Sequence, residues 1–286
     1  MRIINFGSLN IDKFGGAVCT AADHHRGLCR LRAARLSQSL AAARAGAEVL
    51  HAARSARKAA GDAAGTADNR LREVDGPSAV IDAAGQNRII VFGGANRSMT
   101  SEYIERVLDT AQPDDWVLLQ NEVNLVPEII CRAHEKGLRV VFNPSPVPEN
   151  TEKLPLACVS LFMVNEIEAA QLAGTDANAD FEDTLTALRA KYPNASVVMT
   201  VGADGVLYDG EEGRFQLPAF KVKAVDTTAA GDTFCGYFLA AVSAGKSVQT
   251  ALQEASAASA LAVSRTGAAP SVPTADEVRE FLRRHA

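Results

Sequence analysis

The chain has 286 residues, enough to bury a large core in one α/β domain. A formal net charge of -5 and a pI near 5.6 argue against a nucleic-acid surface, for which a basic patch is expected. Five cysteines, at 19, 29, 131, 158 and 235, form no CxxC and are odd in number. They indicate neither a zinc site nor a disulfide framework, and a reducing cytoplasm fits them. The apolar run near the start is too short for a signal peptide, and none reaches the roughly 20 residues of a membrane span.

Ile3, Ile4 and Phe6 read as a buried strand running into the polar turn Gly7-Ser-Leu-Asn10-Ile-Asp12, where Asn10 and Asp12 could simply close the turn. From Phe14 to Asp75, 27 of 62 residues are Ala or Arg, and no strand alternation is visible. Two accounts of residues of about 14–36 and 54–72 stay open: out-of-frame or rearranged text, or a divergent helical insertion, which Ala and Arg would tolerate. Val80 to Asp82 and Arg88 to Phe92 then read as strand, turn, strand.

A βα rhythm follows. Helix is expected from near Ser101, strand over Trp116–Gln120, helix over Val126–Lys136 and strand over Leu138–Phe142. The continuous apolar run 116–120 is the kind a parallel sheet buries on both faces. Asn121 and Glu122 follow it, at the strand end where open α/β sheets bind ligands. Val159–Val164 is the next strand. Asn165 and Glu168 stand on one face of the helix after it, a spacing that a capping box alone would explain. Helix Phe181–Lys191 and strand Ser196–Thr200 lead to the turn Val201-Gly202-Ala-Asp-Gly205. An antiparallel edge pair is expected over 206–208 and 214–217, around Asp209-Gly210.

Asp226-Thr-Thr228-Ala229-Ala230-Gly231-Asp232-Thr-Phe234 reads as a tight small-residue loop opening a helix, with Asp232 in its first turn. Such a loop presents free N–H groups at the positive end of the helix dipole, an anion site. A carboxylate beside it could take a proton from an attacking alcohol, although a plain N-cap is the simpler account. Helices over about 232–244, 247–263 and 274–284 complete the chain.

The string DTTAAGDTF resembles the C-terminal signature of the ribokinase-like (PfkB-type) sugar kinases, and GSLNID resembles their N-terminal motif. The resemblance covers 1–12 and 74–286, with an island at 38–52 in which Gln38 to Val49 is similar to a helix of the family. It implies a three-layer α/β/α sandwich around a mostly parallel sheet, one kinase domain over 1–286, and a small β lid near 14–36 and 74–92. The lid looks incomplete. The implied reaction is ATP-dependent phosphorylation of D-ribose at its 5-hydroxyl. Asp232 would be the catalytic base, and Ala229, Ala230 and Gly231 the anion hole. Asn10, Asp12 and Glu122 would bind sugar, while Asn165, Thr200, Gly202, Gly205 and Gly231 would serve the nucleotide. Glu168 would hold Mg2+ through water. Asp226, Thr228, Ala262, Arg265, Gly267 and Ser271 would wrap K+. The family's glycine-rich GGKG sugar motif is not legible, since Gly15-Gly16 is followed by Ala-Val. Other readings are therefore a kinase of another sugar or nucleoside, or a nucleotide-binding pseudoenzyme. The family pairs through its lids, so a homodimer is implied, or a monomer if the lid is lost. No nucleic-acid or membrane partner is expected.

Overall fold

The computed structural model describes residues 1–7, 11–12, 32–33, 37–52, 78–81, 87–90 and 94–285, with the backbone alone at 11–12, 32–33, 78–81, 87–90 and 94–95. Asn10 and most of the Ala/Arg-rich interval lie outside the described residues.

Six parallel strands form the body of the sheet: β1 (Arg2–Phe6), β4 (Glu48–Ala52), β7 (Trp116–Gln120), β8 (Arg139–Asn143), β9 (Leu161–Asn165) and β10 (Ser196–Thr200). An antiparallel pair, β11 (Val206–Gly210) and β12 (Gly213–Leu217), extends one edge, giving the order β12-β11-β10-β9-β8-β7-β1-β4. Every residue of β7 is buried. Neighbouring side chains on β7 feed opposite faces, as the twofold pleat requires: Val117 and Leu119 enter one core, Trp116 and Leu118 the other.

The first core is closed by α2 (Ser101–Leu108), α3 (Val126–Glu135), α4 (Glu166–Ala173) and α5 (Phe181–Lys191). The second is closed by α1 (Ser37–Arg44), α6 (Ala230–Ser243), α7 (Val248–Val263) and α8 (Ala275–His285). The result is the expected α/β/α sandwich. Local signals set several helix starts: the Asp180 carboxylate accepts from the N–H groups of Glu182 and Asp183, and the Ser247 hydroxyl accepts from Thr250. Among the described residues no helix is long and apolar enough to cross a membrane.

The island near residue 40 departs from the expected helix over 38–49. The helix ends at Arg44, because Gly46 adopts φ 101° and a Schellman closure forms. Gly46 N–H reaches Ala43 O at 3.0 Å and Ala47 N–H reaches Ala42 O at 2.9 Å. Glu48–Ala52 is then an edge strand, in parallel register with β1. The turn between β11 and β12 is also displaced: Gly210 pairs with Gly213, so Glu211 and Glu212 form the loop rather than Asp209-Gly210. Outside the main sheet, β5 (Ser78–Ile81) and β6 (Asn87–Ile90) make the hairpin expected there. A two-residue pair joins β2 (Ile11–Asp12), just before the first stretch expected for the lid, to β3 (Arg32–Ala33) within it.

The island carries a largely buried polar cluster. Asn5 Nδ2 donates to Ser39 Oγ at 2.9 Å, and Ser39 Oγ lies 2.9 Å from His51 Nδ1. Burial pushes the His51 imidazole from its ordinary 6.5 down to about 4. Below pH 6.5 the unfolded chain takes up a proton there that the folded chain refuses. The stabilisation held above pH 6.5 is therefore lost as pH falls toward 4, by about 2–3 kcal/mol. Urea unfolding between pH 7 and 4 is expected to show this loss, and His51→Asn to flatten it. An unchanged slope in the variant would assign the acid sensitivity elsewhere.

Candidate active site

The central strands end in polar residues at two levels. Gln120 is the register partner of Asn143, and Asn165 that of Thr200, two residues further along because Phe142 pairs with Phe162. These strand ends form the carboxyl edge of the sheet, where ligands bind in open α/β folds. Helix α6 begins beside it.

The start of α6 has an unusual backbone. Ala229, its N-cap, has φ 61° and offers no side-chain cap. Ala230 N–H is used by Thr227 O, and Thr233 N–H by Ala229 O. Gly231 lies between them, exposed, with nothing within 4 Å of where a Cβ would stand. Its N–H has no backbone acceptor among the described residues. Small side chains at 229–231 thus leave open backbone at the positive end of a 14-residue helix.

Asp232 stands in that first turn. Its Oδ1 accepts from Gln120 Nε2 at 3.3 Å. Its charge also reaches Glu168 on α4. Burial pushes the Glu168 carboxyl up; hydrogen bonds from Asn165 N–H and the Ser145 side chain pull it back, and the charges of Glu166 and Asp232 push it further. Asn165 and Glu168 form a complete capping box, with Glu168 N–H donating to Asn165 Oδ1 at 2.8 Å and Asn165 N–H to Glu168 Oε2 at 3.0 Å. The local account of this pair is therefore realised, and it also holds the Glu168 carboxylate at the site.

The loop before α6 is tied to the chain after α7 through Asp226. Oδ1 accepts from Thr228 N–H at 2.9 Å and Oδ2 from Gly267 N–H at 2.8 Å. The Thr228 side chain and these backbone donors hold the carboxyl below its ordinary range. Val263 O accepts from Val225 and Asp226 N–H, and Ala262 O from Arg265 N–H. The Arg265 guanidinium pairs outward with Glu277, and the buried Ser271 hydroxyl donates to Ala268 O. The donor atoms here are carboxylate, carbonyl and hydroxyl oxygens, which fit an alkali cation. Among the described residues no group of three or more His, Cys, Asp or Glu could hold a metal. Glu168 and Asp232 repel each other across the site, and a divalent ion brought in by a phosphate ligand would relieve that repulsion.

Asp232, Gly231, Ala230, Ala229, Asn165, Glu168 and Thr200 thus stand at the carboxyl edge of the sheet or at the helix starts beside it. Glu122 is buried two residues beyond Gln120. Asp12 lies in β2, where the structure describes the backbone alone. Gly202, with φ 55°, opens onto empty space, whereas Gly205 is closed in. A Cβ on Gly205 would stand 2.0 Å from Leu217 O, so backbone packing accounts for that glycine. Sequence reasoning missed Gln120 and Asn143, although each is a lone amide ending a buried strand (WVLLQ, RVVFN).

An open α/β sheet with exposed backbone at a helix start and an acid in its first turn suits an enzyme that binds an anionic group beside that acid. The profile of pfkB family carbohydrate kinases matches residues 78–275, and the chain belongs to that family. It is 34% identical over 210 residues to a ribokinase of Bacillus subtilis, an alignment covering 72% of this chain and 68% of that protein. Among solved structures, the Cryptococcus neoformans ribokinase in complex with ADP has a TM-score of 0.74 at 28% identity, over 98% of this chain and 99% of its own. The Thermotoga maritima ribokinase has a TM-score of 0.74 at 26% identity, over 99% of each chain.

Proposed function

We propose that this protein transfers the γ-phosphoryl group of ATP to the 5-hydroxyl of D-ribose. The observation that carries the reading is Asp232 in the first turn of α6, next to the open N–H of Gly231. Similarity to ribokinases supplies the sugar. Asp232 removes the hydroxyl proton as the sugar oxygen bonds to the γ-phosphorus. The bond to the bridging oxygen breaks, and ADP leaves with the electron pair. The N–H of Gly231, at the positive end of the α6 dipole, stabilises the charge on the transferring oxygens, and positioning plus electrostatics supply most of the acceleration. Asn10, Asp12 and Glu122 hold the sugar. Asn165, Thr200 and Gly202 face the nucleotide, with Gly205 shaping the turn. Glu168 would hold Mg2+ through water, and the ion would supply neutralisation of phosphate charge. The chain acts as one kinase domain over 1–286, in the cytoplasm, with the lid near 14–36 and 74–92, as a homodimer through that lid or a monomer if the lid is lost.

The test is ADP release by the purified protein with ribose, fructose or a nucleoside as acceptor. Ribose-dependent release supports the reading; release with another acceptor moves the specificity. ATP binding without release on any acceptor would make the chain a nucleotide-binding pseudoenzyme.

Asp226 and the carbonyl and hydroxyl oxygens around it would hold K+, which would steady the loop before α6. Potassium is expected to raise kcat about tenfold, worth about 1.4 kcal/mol, and Asp226→Asn to remove that response. A kcat indifferent to K+ over Na+ would discard the cation site.

A further inference from the structure

Asp232 is joined to a chain of amides whose polarity is fixed from one end. The backbone carbonyl of Met163 can only accept, and Asn143 Nδ2 donates to it at 2.7 Å. The Asn143 amide is thereby oriented with Oδ1 turned toward its neighbours. That oxygen accepts from Gln38 Nε2 at 3.0 Å and from Gln120 Nε2 at 3.2 Å. The Gln120 amide nitrogen has two hydrogens. One goes to Asn143 Oδ1 and the other to Asp232 Oδ1, at 3.3 Å. A flipped Gln120 would set its own oxygen against Asn143 Oδ1 and the Asp232 carboxylate. At 6% exposure, Gln120 has little water to offset such a clash.

We propose that Gln120 is the positioning residue of Asp232: it holds one carboxylate oxygen and so sets the geometry in which the base meets its proton. The proposal rests on the reading of Asp232 as base. Among the described residues, Asp232 interacts electrostatically with Glu168 on α4 and with the buried Cys235 thiol one turn along α6. The Gln120 donor also opposes the repulsion from Glu168. The far end of the relay, Gln38, belongs to α1, which lies so close to α6 that a Cβ on Gly236 would stand 2.6 Å from Gln38 O. The island at 37–52 is thereby coupled to Asp232, although it lies outside the matched stretch that begins at residue 78.

The experiment compares Gln120→Leu, Asp232→Ala and the double variant. Gln120→Leu is expected to lower kcat about 10- to 100-fold, with KM for ATP within about twofold, as expected for a misplaced catalytic group. In the Asp232→Ala background it should add less than about twofold, because the residue it positions is already gone. Equal losses in both backgrounds would overturn the proposal. A second readout needs no sugar: the 15N side-chain amide signal of Gln120, assigned by its absence in Gln120→Leu. It should move in Asp232→Ala, and a signal that stays put overturns the proposal even if the protein turns over no ribose. That absence of turnover alone would count against the ribose reading instead. If Gln120→Leu does not fold, Asn143→Leu keeps Gln120 but releases its amide. It should lower kcat and move the same signal; no change in either overturns the proposal.

Discussion

Asp232→Asn is expected to lower kcat about 1,000-fold, within the range typical of losing a positioned acid or base. The side chain keeps its size and can still accept from Gln120, so the fold and the start of α6 should survive. An amide cannot take the proton of an attacking alcohol, and this loss is confined to the transition state. Nucleotide affinity should hold or rise, because a negative charge has left the neighbourhood of the phosphates. Glu168 provides an internal check: burial pushes its carboxyl up first, and the Asp232 charge is a further, smaller cause. Its titration should therefore move down in the variant. Steady-state kinetics with an ATP-binding isotherm decide the matter. A kcat within tenfold of the parent would remove Asp232 from the proton transfer.

Gly205→Ala is expected to cost at least about 3 kcal/mol of stability, read as a fall in melting temperature of about 6–10 °C. Two effects add. Gly205 has φ 110° and ψ -128°, a region essentially reserved for glycine. The new Cβ would also meet Leu217 O at 2.0 Å and the backbone of Pro218 and Ala219 at 2.8 Å. All three are main-chain atoms at the end of β12, so no side chain can rotate away. Gly202→Ala is the contrast. There φ is 55° with nothing within 4 Å, and the cost falls to about 1–2 kcal/mol, with weaker nucleotide binding as its main effect. If Gly205→Ala instead melts like the parent and loses only ATP affinity, the glycine serves the ligand rather than the chain.

What the residues showed unaided was local. The apolar strands of 101–200 and the Asn165/Glu168 capping box were legible because each shows in residues within about four positions. Trp116–Gln120, Phe181–Lys191 and Ser196–Thr200 emerged with their expected bounds. The small-residue loop at 229–231 with its aspartate was readable for the same reason, since a helix start is specified within one turn. Strand β4 went unread because Ala and Arg surround it, although Gly46 marks the helix stop.

Tertiary structure decided what joins Asp232. Its amide partner is 112 positions away, Gln120 and Asn143 are 23 apart, and Asn143 and Gln38 are 105 apart. Pairs at such separations meet only when β7, β8 and β9 align in parallel register and α1 seats against Gly236. The same holds for the two glycines of the 202–205 turn. They are alike in sequence, but only the approach of the β12 backbone separates the one that faces open space from the one the chain itself requires. The motif and its chemistry thus follow from residues close along the chain. The geometry that orients the motif comes from hydrogen bonds and backbone contacts between segments that only the packed sheet brings together.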